Sequence, residues 1–147
     1  FSSQNLANTM WAFATASHGS SFTFTVLEEH AAKRIYEFDS QGLANIAWAF
    51  ASATQESRFL SAVIAPEASA RVHEFTPQEL ANLAWAFTTS RQESPACWRL
   101  FKVLAEEAAR QIHKFNPQEL ANTAWAFAKS GQRSPALFVA IAKEAAE

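Results

Sequence analysis

One octapeptide, Leu-Ala-Asn-x-x-Trp-Ala-Phe, occurs four times in this chain, at Leu6–Phe13, Leu43–Phe50, Leu80–Phe87 and Leu120–Phe127. Five residues before each Leu stands a Phe: Phe1, Phe38, Phe75 and Phe115, so the copies are spaced by 37, 37 and 40 residues. A period of that length constrains the fold to a stack of helical repeats, each burying its apolar face against the next. The expected architecture is all-α: an α-solenoid of four helix-turn-helix repeats forming one domain. The boundaries are 1–37, 38–74, 75–114 and 115–147, and the segment is expected to belong to a longer array.

Each repeat predicts two helices. In repeat three, Thr76 is an N-cap candidate, Pro77 suits the first helical position and Glu79 completes a capping box. Asn116, Asp39 and Ser2 hold the same position in the other repeats. A second start signal is Ser20, Ser57, Ser94 and Ser134, followed in the last two by Pro95 and Pro135. The second helix of repeat three places Cys97, Leu100, Phe101, Leu104, Ala105 and Ala108 on one face. The three extra residues of repeat three fall inside this helix, and Pro66 predicts a kink or break just before it in repeat two. Tyr36, His73 and His113 share one repeat position, where aromatic packing at the helix end is expected. Arg34, Arg71 and Arg110 are expected to be solvated helix ends, as are the pairs Glu28-Glu29 and Glu106-Glu107.

The first helix carries two stripes opposite its core side. One holds Gln4, Asn8 and Trp11, repeated as Gln41, Asn45, Trp48; Gln78, Asn82, Trp85; and Gln118, Asn122, Trp125. These three positions are identical in every copy, and a fourth on the same stripe, Thr15, Ser52, Thr89 and Lys129, varies. The other holds Asn5, Thr9 and Ala16; Gly42, Ile46 and Ala53; Glu79, Leu83 and Ser90; and Glu119, Thr123 and Ser130. It changes from copy to copy. A group that meets the same neighbour in each repeat should be constant, and one that reads successive polymer units should vary. The constant stripe is therefore either inter-repeat packing or a grip on a uniform partner backbone. The varying stripe is either solvated surface or a base-reading face.

The unit Phe-x-Pro-Gln-Glu-Leu-Ala-Asn-x-Ala-Trp-Ala-Phe-Ala, closest at Phe115–Ala128 and Phe75–Phe87, resembles the octotricopeptide and heptatricopeptide repeats of organellar RNA-binding proteins. The resemblance spans all four copies. It implies binding of single-stranded or ribosomal RNA in a mitochondrion or plastid, in RNA metabolism or within a ribonucleoprotein. It also implies that polar residues of the first helix face the RNA, which makes Asn5, Asn8, Thr9, Asn45, Glu79, Asn82, Glu119, Asn122 and Thr123 candidate RNA contacts. Arg58, Arg91, Lys129 and Arg133, near the turns between helices, are candidate phosphate contacts. Asn and Trp three apart also resemble the armadillo arrangement that holds an extended peptide, so a protein-interaction scaffold within a large complex is the alternative.

Composition trims the remaining classes. A net charge of -2 gives no global field for nucleic acid. Cys97 is the one cysteine, so no internal disulfide or cysteine-rich metal site is expected. His18, His30, His73 and His113 lack ligand spacing, and three glycines cannot build a phosphate-cradling loop. No catalytic residues, cofactor, metal, small-molecule substrate or membrane insertion are expected. Open apolar ends predict self-association of this segment.

Overall fold

The computed structural model describes residues 1–16, 21–53, 58–91 and 93–147, and these are helical throughout, with no strand among them. The first helices of the repeats are α1 (Ser3–Ala16), α3 (Ser40–Ala53), α5 (Pro77–Thr89) and α7 (Pro117–Ser130). The second helices are α2 (Ser21–Lys33), α4 (Ala65–Ala70, continuing a π-helical turn Leu60–Ile64), α6 (Pro95–Arg110) and α8 (Pro135–Ala145). One layer is α1 on α3 on α5 on α7, and in the other α4 packs on α6 and α6 on α8. Phenylalanines fill the space between layers. Phe24 meets Phe50 edge-on at 5.5 Å, and Phe101 meets Phe127 edge-on at 5.4 Å.

The start signals operate as the sequence predicts. Thr76 and Asn116 each form a reciprocal capping box with Glu79 and Glu119. The Asp39 carboxylate accepts from the Gly42 N–H at 2.7 Å, and the Ser2 hydroxyl accepts from Asn5 at 3.0 Å. Ser94 caps α6, but Ser134 makes no capping bond, and Pro135 alone opens α8. Ser20 and Ser57 lie outside the described residues. The extra residues of repeat three lengthen α6 to 16 residues against 13 in α2.

Pro66 does not break its helix. The N–H it lacks would have served the preceding turn, and the chain answers with a π turn, in which Ala65 N–H reaches Leu60 O. Ile64 and Ala65 keep right-handed helical dihedrals, so the axis runs on into α4.

The second helices end in 3-10 turns at Ile35–Glu37, Val72–Glu74 and Ile112–Lys114. Here two expectations are corrected. Tyr36 is 71% exposed, and His73 and His113 are also exposed, because Ile35, Val72 and Ile112 take the packed position of that turn. The arginines are not merely solvated ends. Arg34 Nη1 donates to Phe1 O at 2.6 Å, and Arg71 Nη1 donates to Phe38 O at 2.8 Å. Gln111 Nε2 does the same to Phe75 O at 3.0 Å. The ends of α2, α4 and α6 are thus tied to the residues that open their own repeats. Each tie is held by a carboxylate: Glu37 for Arg34, Glu74 and Glu67 for Arg71. Glu107 is buried rather than solvated, and it accepts from Arg110 and from Gln111.

Adjacent first helices pack closely because alanine stands at the contact. Ala49, Ala86 and Ala126 are wholly buried, whereas Ala12, which has no preceding helix, is exposed. Ala7, Ala44 and Ala81 are buried, whereas Ala121, which has no following helix, is exposed. Among the described residues one buried hydroxyl is unsatisfied: Thr123 Oγ1, at the position Ile46 and Leu83 fill with hydrocarbon.

Two outcomes are expected. Thr123→Val should raise stability by about 1 kcal/mol, read from a denaturant titration, since it removes a desolvated hydroxyl without changing shape. Second, hydrogen bonds from arginine hold the Glu37, Glu74 and Glu107 carboxyls below their ordinary range. Their folded pKa values lie below the unfolded ones, so their contribution is complete above the unfolded carboxylate range. It is lost as pH falls through the lower, folded values. The thermal midpoint should drop between neutral pH and acid, and Glu107→Gln should flatten that drop.

Candidate functional site

The constant stripe lies on one face of the first-helix layer. Its tryptophans form a ladder. Trp11 and Trp48 have ring centroids 6.2 Å apart, tilted by 32°, and Trp48 and Trp85 stack at 6.1 Å and 23°. These are direct ring pairs. Trp48 therefore has an indole on either side and cannot stack a base on its faces. The outer rings are more open, with Trp11 46% and Trp125 48% exposed. The constancy of Trp11, Trp48 and Trp85 is explained by packing, because each of these rings meets a copy of itself.

The same explanation does not extend to Asn. Asn8 and Asn122 are exposed, and Asn45 and Asn82 are half-buried. Among the described residues none of the four side-chain amides has a protein partner, and none is a buried unsatisfied group, so all face solvent. Gln4, Gln41, Gln78 and Gln118 are exposed one turn earlier on the same face. Between α1 and α3 these residues line a cavity of about 310 Å³, with Gln4, Asn8, Gln41 and Asn45 on its walls and Glu37 and Asp39 at its end. Each amide offers two donors and an acceptor, a set suited to a repeating polar backbone.

The varying stripe is not a reading face. Ile46 and Leu83 are fully buried, and Thr123 is 1% exposed, because this side of each helix packs on the preceding one. Thr9 is half-buried and spends its hydroxyl on Asn5 O at 2.7 Å. Glu79 and Glu119 are committed to capping Thr76 and Asn116 at 2.8 and 2.9 Å. Asn5, at the outer end, is exposed. Its buried members, Ile46, Leu83 and Thr123, vary with the interface each one packs in.

The four candidate phosphate contacts separate. Arg58 is exposed beside Glu28 and Glu29, where burial pushes the Glu28 carboxyl up. Arg133 is exposed near Lys102 and Glu106. Only Arg91 and Lys129 share a cavity, of about 490 Å³, whose other walls include Glu93, Trp98, Ser130 and Gln132. Arg91 has φ 52°, the one non-glycine in the left-handed region among the described residues. The equivalent residue forty positions on is Gly131, with φ 73° and nothing near its missing Cβ. Arginine at such a position costs roughly 1–2 kcal/mol relative to glycine.

Two contributors lie outside the sequence reading. Trp98 is the one tryptophan outside the octapeptide, a signal visible in the sequence. Gln111 takes the place of Arg34 and Arg71 only when repeats are aligned from the end of the second helix. Among the described residues no group of three or more His, Cys, Asp or Glu could hold a metal, and no helix is long and apolar enough to cross a membrane. Cys97 is buried, which pushes its thiol up. No protein-family model and no curated protein matches the chain.

Stability separates the two components of the stripe. Asn82→Ala should change unfolding free energy by less than about 0.5 kcal/mol, because the amide has no partner to lose. Trp48→Ala should cost at least about 1–3 kcal/mol from its two ring pairs. Equal losses would return Asn to a structural role.

Proposed function

We propose that the chain is an α-solenoid segment of four repeats whose first-helix face holds single-stranded RNA in an organellar ribonucleoprotein, as a binding module without catalysis. The observation that carries this reading is the in-register row of constant amides with no protein partner. Constancy without an internal partner is what a grip on a uniform external backbone requires. The resemblance to octotricopeptide and heptatricopeptide repeats supports RNA as that backbone. Asn8, Asn45, Asn82 and Asn122 are the contacts in this reading, with Arg91 and Lys129 for phosphate. A second reading, an extended peptide held by the same amides, is favoured by Glu37 and Asp39 at the end of the amide cavity. Asp39, which has no cation partner among the described residues, disfavours phosphate there and suits a peptide carrying basic side chains, whereas Glu37 is already paired with Arg34.

The test is an anisotropy titration of a labelled single-stranded RNA pool at low salt against wild type and Asn45→Ala/Asn82→Ala. The double variant should bind at least tenfold more weakly. With two phosphate contacts the log–log salt slope should be only about -1.4. No binding by wild type at micromolar protein overturns the RNA reading. Saturable, Asn-dependent binding of a basic extended peptide in its place establishes the scaffold reading.

A further inference from the structure

We infer that the cavity shared by Arg91, Trp98 and Lys129 is a site for one nucleotide unit, with the base stacked on Trp98 and the phosphate held by Arg91 and Lys129. The taking of that nucleotide from single-stranded RNA rests on the reading above; the site itself does not.

Three observations converge on it. First, the site departs from repetition. Trp98 is 53% exposed on a helix one turn longer than α2, and it is the one indole outside the octapeptide. Unlike Trp48, it is not one of the rings paired in the ladder. Exposed indoles beside cations are the usual platform for a base. Second, Arg91 stands where the next repeat has Gly131, in a left-handed conformation that disfavours any side chain. Nothing internal repays it. Arg34, Arg71 and Arg110 are all paired with carboxylates, but Arg91 has no side-chain partner among the described residues, nor does Lys129. A strained, unpaired cation at a cavity wall is a mark of function rather than folding. Third, about 490 Å³ is in the range of small-ligand sites. Gln132 on the walls offers an amide to base edges, and Glu93 offers an acceptor to ribose hydroxyls while its charge opposes the phosphate.

The experiment titrates adenosine monophosphate and a labelled single-stranded RNA pool into the full chain as wild type, Arg91→Gly, Trp98→Ala and Asn45→Ala/Asn82→Ala. Arg91→Gly should raise the thermal midpoint while weakening the monophosphate about tenfold. That pairing of gain and loss is one that no misfolded variant can mimic. Trp98→Ala should weaken it about tenfold or more, and the Asn variant should leave it unchanged. RNA that binds wild type, Arg91→Gly and Trp98→Ala equally overturns the site and leaves the RNA reading standing. Monophosphate lost in both variants, with no RNA binding at all, upholds the site and overturns the RNA reading. Loss in Arg91→Gly without loss in Trp98→Ala reduces it to an anion site and overturns the nucleotide assignment. Monophosphate that fails to bind wild type overturns it outright.

Discussion

The close approach of one first helix to the next is the constraint from which the rest of the molecule follows. Alanine at Ala49, Ala86 and Ala126, and at Ala44 and Ala81, removes the bulk that would hold α1, α3, α5 and α7 apart. With the helices this close and in register, equivalent residues of successive repeats meet each other. That brings the indoles together and aligns the amides. It also forces the larger side chains to the other side, where Phe24, Phe50, Phe101 and Phe127 join the two layers. The ties from Arg34, Arg71 and Gln111 to Phe1, Phe38 and Phe75 fix where each second helix ends relative to its partner. Each repeat thus closes on itself and presents the same edge to its neighbour.

Identity between repeats has two sources that sequence alone does not separate. A side chain that touches its own copy must be constant for packing, and one that touches a uniform partner must be constant for binding. The ladder assigns Trp to the first source. The Asn amides have no such internal neighbour among the described residues.

Much of the fold was legible. The caps at Thr76 and Asn116, the prolines opening helices and the apolar face of α6 are local features, set by neighbours within a turn. What failed was long-range. The varying stripe looked external because Asn5, Thr9, Glu79 and Glu119 are polar. It is internal because Ile46, Leu83 and Thr123 face the preceding helix. The direction in which one helix stacks on the next is not written in the periodicity of either. Arg34 and Arg71 looked solvated because their acceptors are backbone carbonyls more than thirty residues away. A carbonyl has no residue type, so no sequence pattern announces it. Tyr36 and His73 show the converse, since aromatic character at a recurring position suggested packing that the 3-10 turn gives to Ile35 and Val72. Of the site, the amide row was visible, while the pairing of Arg91 with Lys129 depends on α5 and α7 lying side by side.

The ladder has an optical consequence. Indoles whose centroids lie 6.1 and 6.2 Å apart share their excitation. Trp11, Trp48 and Trp85 thus behave as one coupled chromophore, with a split circular-dichroism band whose sign follows the twist from repeat to repeat. The molecule thus carries its own label-free gauge of how α1, α3 and α5 sit on one another.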